Sequence, residues 1–291
     1  MRDYIIMTDS CCDLSQQEVE ELDLTVLPLS FTIEGKTLLN TPDHADMSPE
    51  EFFAKIAAGA DCTTAAVNVG QFTDAMEKVL QEGKDILCVC FSSALSTTYQ
   101  SACIAAEDLR EKYPEAKILV IDSLSASRGQ GMLLYRAVRE RREKNLTIDE
   151  LDAYVRSIIQ SQCHWFIVDD LNHLKRGGRV SAAAAFLGTM LSIKPVLHVD
   201  EEGRLIPMEK AKGRAKSIRA LLEHMKATAI EPEKQVIFIS HGDAPEEAEG
   251  LAQMVRDTFG CKEVRVGNIG PVIGAHSGPG TIALFFVGSP R

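Results

Sequence analysis

A short apolar run that halts at hydroxyls or a carboxylate and then turns into a helix recurs three times in the first half of this chain, and that rhythm permits few architectures. Tyr4-Ile5-Ile6-Met7 stops at Thr8-Asp9-Ser10 and leads into a capped helix over Ser15 to Leu22. Ile86 to Phe91 stops at Ser92-Ser93 and leads to a helix through Gln100 to Leu109. Ile118 to Ile121 stops at Asp122-Ser123 and leads to a helix reaching about Lys144. Continuously apolar strands alternating with helices predict a parallel sheet covered on both faces. Ser48 to Ala57 and Phe72 to Gln81 read as helices between the first two strands.

After about residue 160 the pattern changes. Ile193 to Val199, the turn Asp200-Glu201-Glu202-Gly203 and Arg204 to Ala211 read as a hairpin, which requires antiparallel pairing. A helix over Ser217 to Thr228, a strand Gln235 to Ser240, a helix Pro245 to Phe259 and strands around Val264 and Ile282 to Val287 follow. At 291 residues the chain can bury two cores. The expectation is an α/β protein: an N-terminal lobe, residues 1–160, with a parallel sheet flanked by helices, and a C-terminal α/β lobe, residues 161–291, with a mixed or antiparallel sheet.

The net charge of −11 argues against a phosphate-backbone binder, so nucleic acid is not an expected partner. Met1 to Met7 has too short an apolar stretch for a secretory signal, and no run is long and unbroken enough to span a bilayer, so a cytoplasmic protein without an integral membrane segment is expected. The eight cysteines include no C-x-x-C pair, so reduced thiols and no metal site are expected. No nucleotide loop, dinucleotide fingerprint, G-x-S-x-G or H-E-x-x-H is found.

What remains is material suited to an anion. In an open parallel sheet, ligands sit beyond the carboxyl ends of the strands. Three such ends carry hydroxyls: Thr8-Asp9-Ser10, Ser92 through Thr98, and Asp122-Ser123. Each serves either as a helix cap or as an anion site. Thr63-Thr64 could cap the helix at Phe72 or complete such a site. Leu174 to Ser181 sets Lys175, Arg176 and Arg179 around two glycines, and Arg204 to Arg219 holds six cations against Glu209. The first is either a basic loop capped by Ser181 or a functional cluster of cations, and the second either a solvated face or a docking surface for an acidic partner or a phosphorylated ligand. Gly270 to Gly280 reads as a Gly/Pro-rich loop that holds His276 close to a ligand.

Thr8 to Leu14, Ser92 to Ala102, Leu174 to Ser181 and Ile269 to Gly280 resemble, in order, the signature segments of the DegV family, bacterial proteins that bind fatty acids. Members called FakB hold a fatty acid while a separate fatty acid kinase phosphorylates its carboxylate. The resemblance therefore implies a lipid-binding carrier subunit without activity of its own, with no cofactor beyond the bound fatty acid. It carries the carboxylate site onto Thr63, Thr64, Ser93, Ser96 and His276, and phosphotransfer or partner contact onto Arg179. Two departures from the pattern stand out: Ala65-Ala66-Val67 replace Gln-Pro-Ser, and Thr97 stands where Gly is usual.

Physical chemistry fits such a ligand. At ~0.8 kcal/mol per buried methylene, about fourteen methylenes contribute on the order of 11 kcal/mol before the costs of binding. The apolar helix Ala182 to Leu191 is the expected tunnel wall, through Phe186, Leu187, Met190 and Leu191. The alternative function is a Ser/His hydrolase or acyltransferase acting on a lipid ester or thioester, with Ser93 or Ser96 as nucleophile and His276 as base; no strained serine elbow or orienting acid is legible for it.

Overall fold

The computed structural model describes residues 2–180, 193–289 and 291. The protein is α/β with two lobes, as expected. In the N-terminal lobe four parallel strands run in the order β2-β1-β6-β7, comprising β1 (Tyr4–Asp9), β2 (Leu24–Leu27), β6 (Asp85–Cys90) and β7 (Ile118–Asp122). β6 is buried along its whole length, which is why Ile-Leu-Cys-Val-Cys shows no polar alternation. Helix α1 (Gln16–Leu22) starts at a reciprocal cap between Ser15 and Glu18; α3 (Val69–Gln81) and α4 (Thr98–Lys112) pack together beside β6.

The C-terminal lobe is a six-stranded mixed sheet ordered β10-β9-β8-β13-β11-β12. β8 (Gln162–Ile167), β9 (Ile193–Val199), β10 (Leu205–Lys212), β11 (Val236–His241) and β13 (Ile282–Val287) pair antiparallel, and β12 (Glu263–Asn268) adds to β11 in parallel. Helices α8 (Arg214–Thr228) and α9 (Pro245–Phe259) cover its outer face around Leu221, Met225 and Leu251, forming a separate core. Its inner face, with Phe166, Leu197, Phe238 and Phe285, belongs to the same core as the N-terminal lobe.

Helix α5 (Arg128–Lys144) makes that shared core. Its first turns, Arg128 to Tyr135, are buried on every side between the loop after β1 and strands β8, β11 and β13. Two glycines admit this: a Cβ on Gly129 would lie 2.2 Å from His164 Nε2, and one on Gly131 would lie 2.9 Å from the Cys12 carbonyl.

Several elements differ from the sequence expectation. β2, the strand β8, helix α6 (Ile148–Ile158) and a three-stranded antiparallel sheet, β4-β3-β5, are additions: β3 is Ser30–Ile33, β4 Lys36–Leu39 and β5 Cys62–Ala65. Thr63 and Thr64 therefore lie on a strand, and α3 is capped by Asn68 with Gln71 instead. The Gly/Pro stretch around His276 is not a loop: Pro271–Ser277 is helix α10, because proline suits the first helical turn and Gly278, at φ 79°, suits its exit. Leu174, Lys175 and Arg176 likewise fall in a short helix, α7 (Asn172–Arg176). The expected tunnel helix, with Phe186, Leu187, Met190 and Leu191, and Ser181 before it, lie outside the described residues.

Candidate functional site

The three hydroxyl-bearing strand ends have different fates. After β1, Asp9 is buried and accepts the Phe91 N–H (2.7 Å) and the Cys11 N–H (3.0 Å), while Thr8 Oγ1 donates to the Val89 carbonyl (2.7 Å). Ser10 Oγ accepts the Leu29 N–H at 3.0 Å. After β7, Asp122 accepts the Ser93 and Leu124 amides at 3.2 and 3.0 Å. These groups tie loops to one another. The end of β6 is open: Ser93 is exposed, Ser96 is half-buried, and both line a cavity of about 500 Å³, a size suited to a small ligand.

Thr64, Ser93, Ser96, Arg179 and His276 line this cavity together with the apolar side chains of Phe91, Leu95, Phe166, Leu174, Val199, Val272 and Phe285. Thr63 does not. Alternation along β5 puts Thr64 on the face of buried Phe31 and Thr63 on the opposite, exposed face beside Thr32.

His276 is held from three sides. Its Nε2 lies 2.8 Å from Thr64 Oγ1. Its Nδ1 packs against Gly177, where an added Cβ would sit only 2.1 Å away. Helix α10 itself is seated on Phe52 and Phe53 of α2 (Pro49–Ala57), with Gly274 giving way to the Phe53 ring. Burial, reinforced by the charge of Arg179, lowers the imidazole pKa to about 4, so the ring is neutral near pH 7. Arg179 donates to the Leu95 carbonyl at 3.2 Å and to the Gly177 carbonyl, which places a guanidinium beside the Ser93–Ser96 turn. Ser96 Oγ meets Thr98 Oγ1 at 2.9 Å.

Sequence reasoning missed a second polar group on the cavity wall. Ser127 and Ser240 both line it, with their Oγ atoms 3.0 Å apart. Ser127 Oγ donates to Asp13 Oδ2 at 2.5 Å, and Asp13 Oδ1 accepts the Gly270 N–H at 3.0 Å. Ser127 has φ 52° and ψ −146°, a backbone conformation that costs a serine ~1–3 kcal/mol and is held by this network. Burial raises the Asp13 pKa to about 7, against the pull of its two donors and of Arg128. The repeated Ser-Leu-Ser-Ala-Ser at 123–127, followed by two spaced glycines, was the available signal.

Of the cations along Arg204 to Arg219, Arg204 pairs with Asp200 (2.9 Å) and Arg214 with Glu247 (2.7 Å) and Asp169 (3.2 Å), whereas Lys212, Lys216 and Arg219 are exposed. Among the described residues no cluster of three or more His, Cys, Asp or Glu is placed to hold a metal ion, and no helix is long and apolar enough to cross a membrane.

A sequence model described as "Uncharacterised protein, DegV family" matches residues 4–289. A DegV domain-containing protein of Clostridium perfringens is 41% identical over 291 residues, 100% of this chain and 99% of its own. The structure of a fatty-acid-binding DegV family protein from Thermus thermophilus superposes with a TM-score of 0.88 at 31% identity, covering 98% of this chain and 99% of that one. A DegV lipid-binding protein of Thermotoga maritima gives a TM-score of 0.86 at 28% identity, with 99% of each chain covered.

Proposed function

The chain belongs to the DegV family, and on that footing we propose that it binds a long-chain fatty acid in the cavity between its lobes and presents the carboxylate to a separate kinase for acyl-phosphate formation. The observation that carries this reading is the make-up of the cavity: Thr64, Ser93, Ser96, the neutral imidazole of His276 and the guanidinium of Arg179 share it with mainly apolar side chains. Thr64, whose hydroxyl proton is freed when His276 Nε2–H donates to it, and Ser96 supply donors that keep a carboxylate solvated as it leaves water, and Ser93, being exposed, keeps that end within reach of a partner. Arg179 adds the charge that a transferring phosphoryl group needs. The tail provides the affinity by burial. A hydrolase would need His276 against Ser93 or Ser96, but its Nε2 meets Thr64.

The test is native mass spectrometry of protein purified from a bacterial host, followed by reconstitution with a fatty acid kinase. One fatty acid per chain is expected, and no turnover of ATP, ester or thioester by the chain alone. Arg179→Ala should bind fatty acid within about twofold of the parent yet support at least tenfold slower acyl-phosphate formation. Absence of lipid together with failure to bind palmitate or oleate would refute the proposal.

A further inference from the structure

The serine pair on the cavity wall has a direction. Above pH 7, where Asp13 is a carboxylate with no proton to give, the hydrogen bond runs from Ser127, whose single hydroxyl proton is thereby committed. The 3.0 Å contact between the two hydroxyls must then be donated by Ser240. Ser240 Oγ is left with lone pairs and no proton to offer, and it has no other hydrogen-bond partner among the described residues. Ser240 is fully buried on β11, and its neighbours across the sheet on this face are Ala283 and Phe166.

His164, fully buried on β8 and lining the same cavity, repeats the arrangement. Its Nδ1 lies 2.8 Å from the Gln162 carbonyl, which only accepts, so Nδ1 carries the proton and Nε2 is a bare acceptor, but one turned onto Gly129 of α5. Ser240 Oγ shares this wall with Ser127, Ser277 and Thr281, and a plain alkyl chain leaves its lone pair unused.

The depth of Ser240 is readable from α10, whose residues Val272, Ile273 and His276 line the cavity. Gly270, which donates to Asp13, lies six residues before His276, or about 9 Å along a helix rising 1.5 Å per residue. We propose that the cavity selects fatty acids bearing a hydroxyl partway along the acyl chain, the ligand O–H donating to Ser240 Oγ. This rests on the fatty-acid reading above and names the class within it. A ketone at the same carbon brings only an acceptor and is disfavoured, and a hydroxyl next to the carboxylate falls short of Ser240.

The experiment compares stearate, 10-hydroxystearate, 10-oxostearate and 3-hydroxystearate at pH 8, where Asp13 is ionised, with the whole chain and with Ser240→Ala. The 10-hydroxy acid should bind about tenfold tighter than stearate, with the 10-oxo acid weaker than stearate and the 3-hydroxy acid no better. Ser240→Ala should erase the hydroxyl preference and leave stearate affinity within twofold. Equal or weaker binding of the 10-hydroxy acid, or a preference that survives Ser240→Ala, overturns the inference while leaving fatty-acid binding intact. Failure of all four ligands to bind would instead fall on the fatty-acid reading itself.

Discussion

The loop after β1 and the loop after β6 are built from the same residue types at the same place in neighbouring strands, and they do opposite work. Asp9, Ser10 and Asp13 spend every hydrogen bond inside the protein, on Phe91, Cys11, Leu29, Ser127 and Gly270. Ser93 and Ser96 stand at the cavity rim. Depth explains the contrast. The first loop is covered by α5 and the C-terminal sheet, so a polar group there persists only if fully paired. The second lies where the lobes part. A hydroxyl-rich strand end is therefore a brace or a binding site according to what the rest of the chain lays over it.

Substitutions should separate the two roles. The largest effect is expected at Asp9, because Asp9→Ala strands two buried backbone amides; the loss should be about 3 kcal/mol in urea unfolding, with fatty-acid affinity of the folded protein changed less than threefold. A loss under about 1 kcal/mol would show that the brace is slack. At the other loop the pattern should invert. Ser96→Ala, Thr64→Ala and His276→Ala should each weaken fatty-acid binding about ten- to hundredfold in titration calorimetry while moving stability by less than about 1 kcal/mol.

A smaller effect follows from the titration of the buried groups. Asp9 and Asp13 have folded pKa values raised to about 6 and about 7, so the stability tied to their neutral forms is present at low pH and lost as pH rises through those values. His276, lowered to about 4, acts oppositely: its contribution is present above its ordinary value and lost as pH falls toward 4. From pH 6 to pH 8 the losses at Asp9 and Asp13 outweigh the gain at His276, so stability should fall by about 1 kcal/mol over that interval, a decline that Asp13→Asn largely removes from the melting curve. The smallest effect sharpens the comparison most: Thr63→Ala, one residue from the site on the wrong face of β5, should leave binding within twofold.

How much of this was legible in the sequence follows from range. The strands and helices of the first lobe announce themselves because an apolar run and its caps are local, as at Ser15 and Glu18. β8 hid itself: Gln162 and His164 break its apolar pattern, and only the sheet around them makes a buried strand of them. Helix α10 was mistaken for a loop because its proline and glycines, placed at its ends and against Phe53, look the same in composition as a turn. His276 and Thr64, which the family resemblance assigns to one carboxylate site, lie 2.8 Å apart although 212 residues separate them in the chain. The group formed by Asp13, Ser127 and Ser240 joins segments more than 100 residues apart, and no local pattern foretells it.

The burial of α5 between the two sheets has a consequence for how the chain comes into being. A helix that is core to both lobes can finish packing only when β8, β11 and β13 exist, and these strands end 143 residues beyond the end of α5. As the chain emerges from the ribosome, the first lobe must wait with Met132, Leu133, Leu134 and Tyr135 unsheltered on one side. Its closure is a late, long-range event that slows folding and invites the attention of chaperones. Once made, that closure joins the parallel sheet and the inner face of the mixed sheet into one cooperative unit, so that heat or denaturant should take both lobes apart in a single transition.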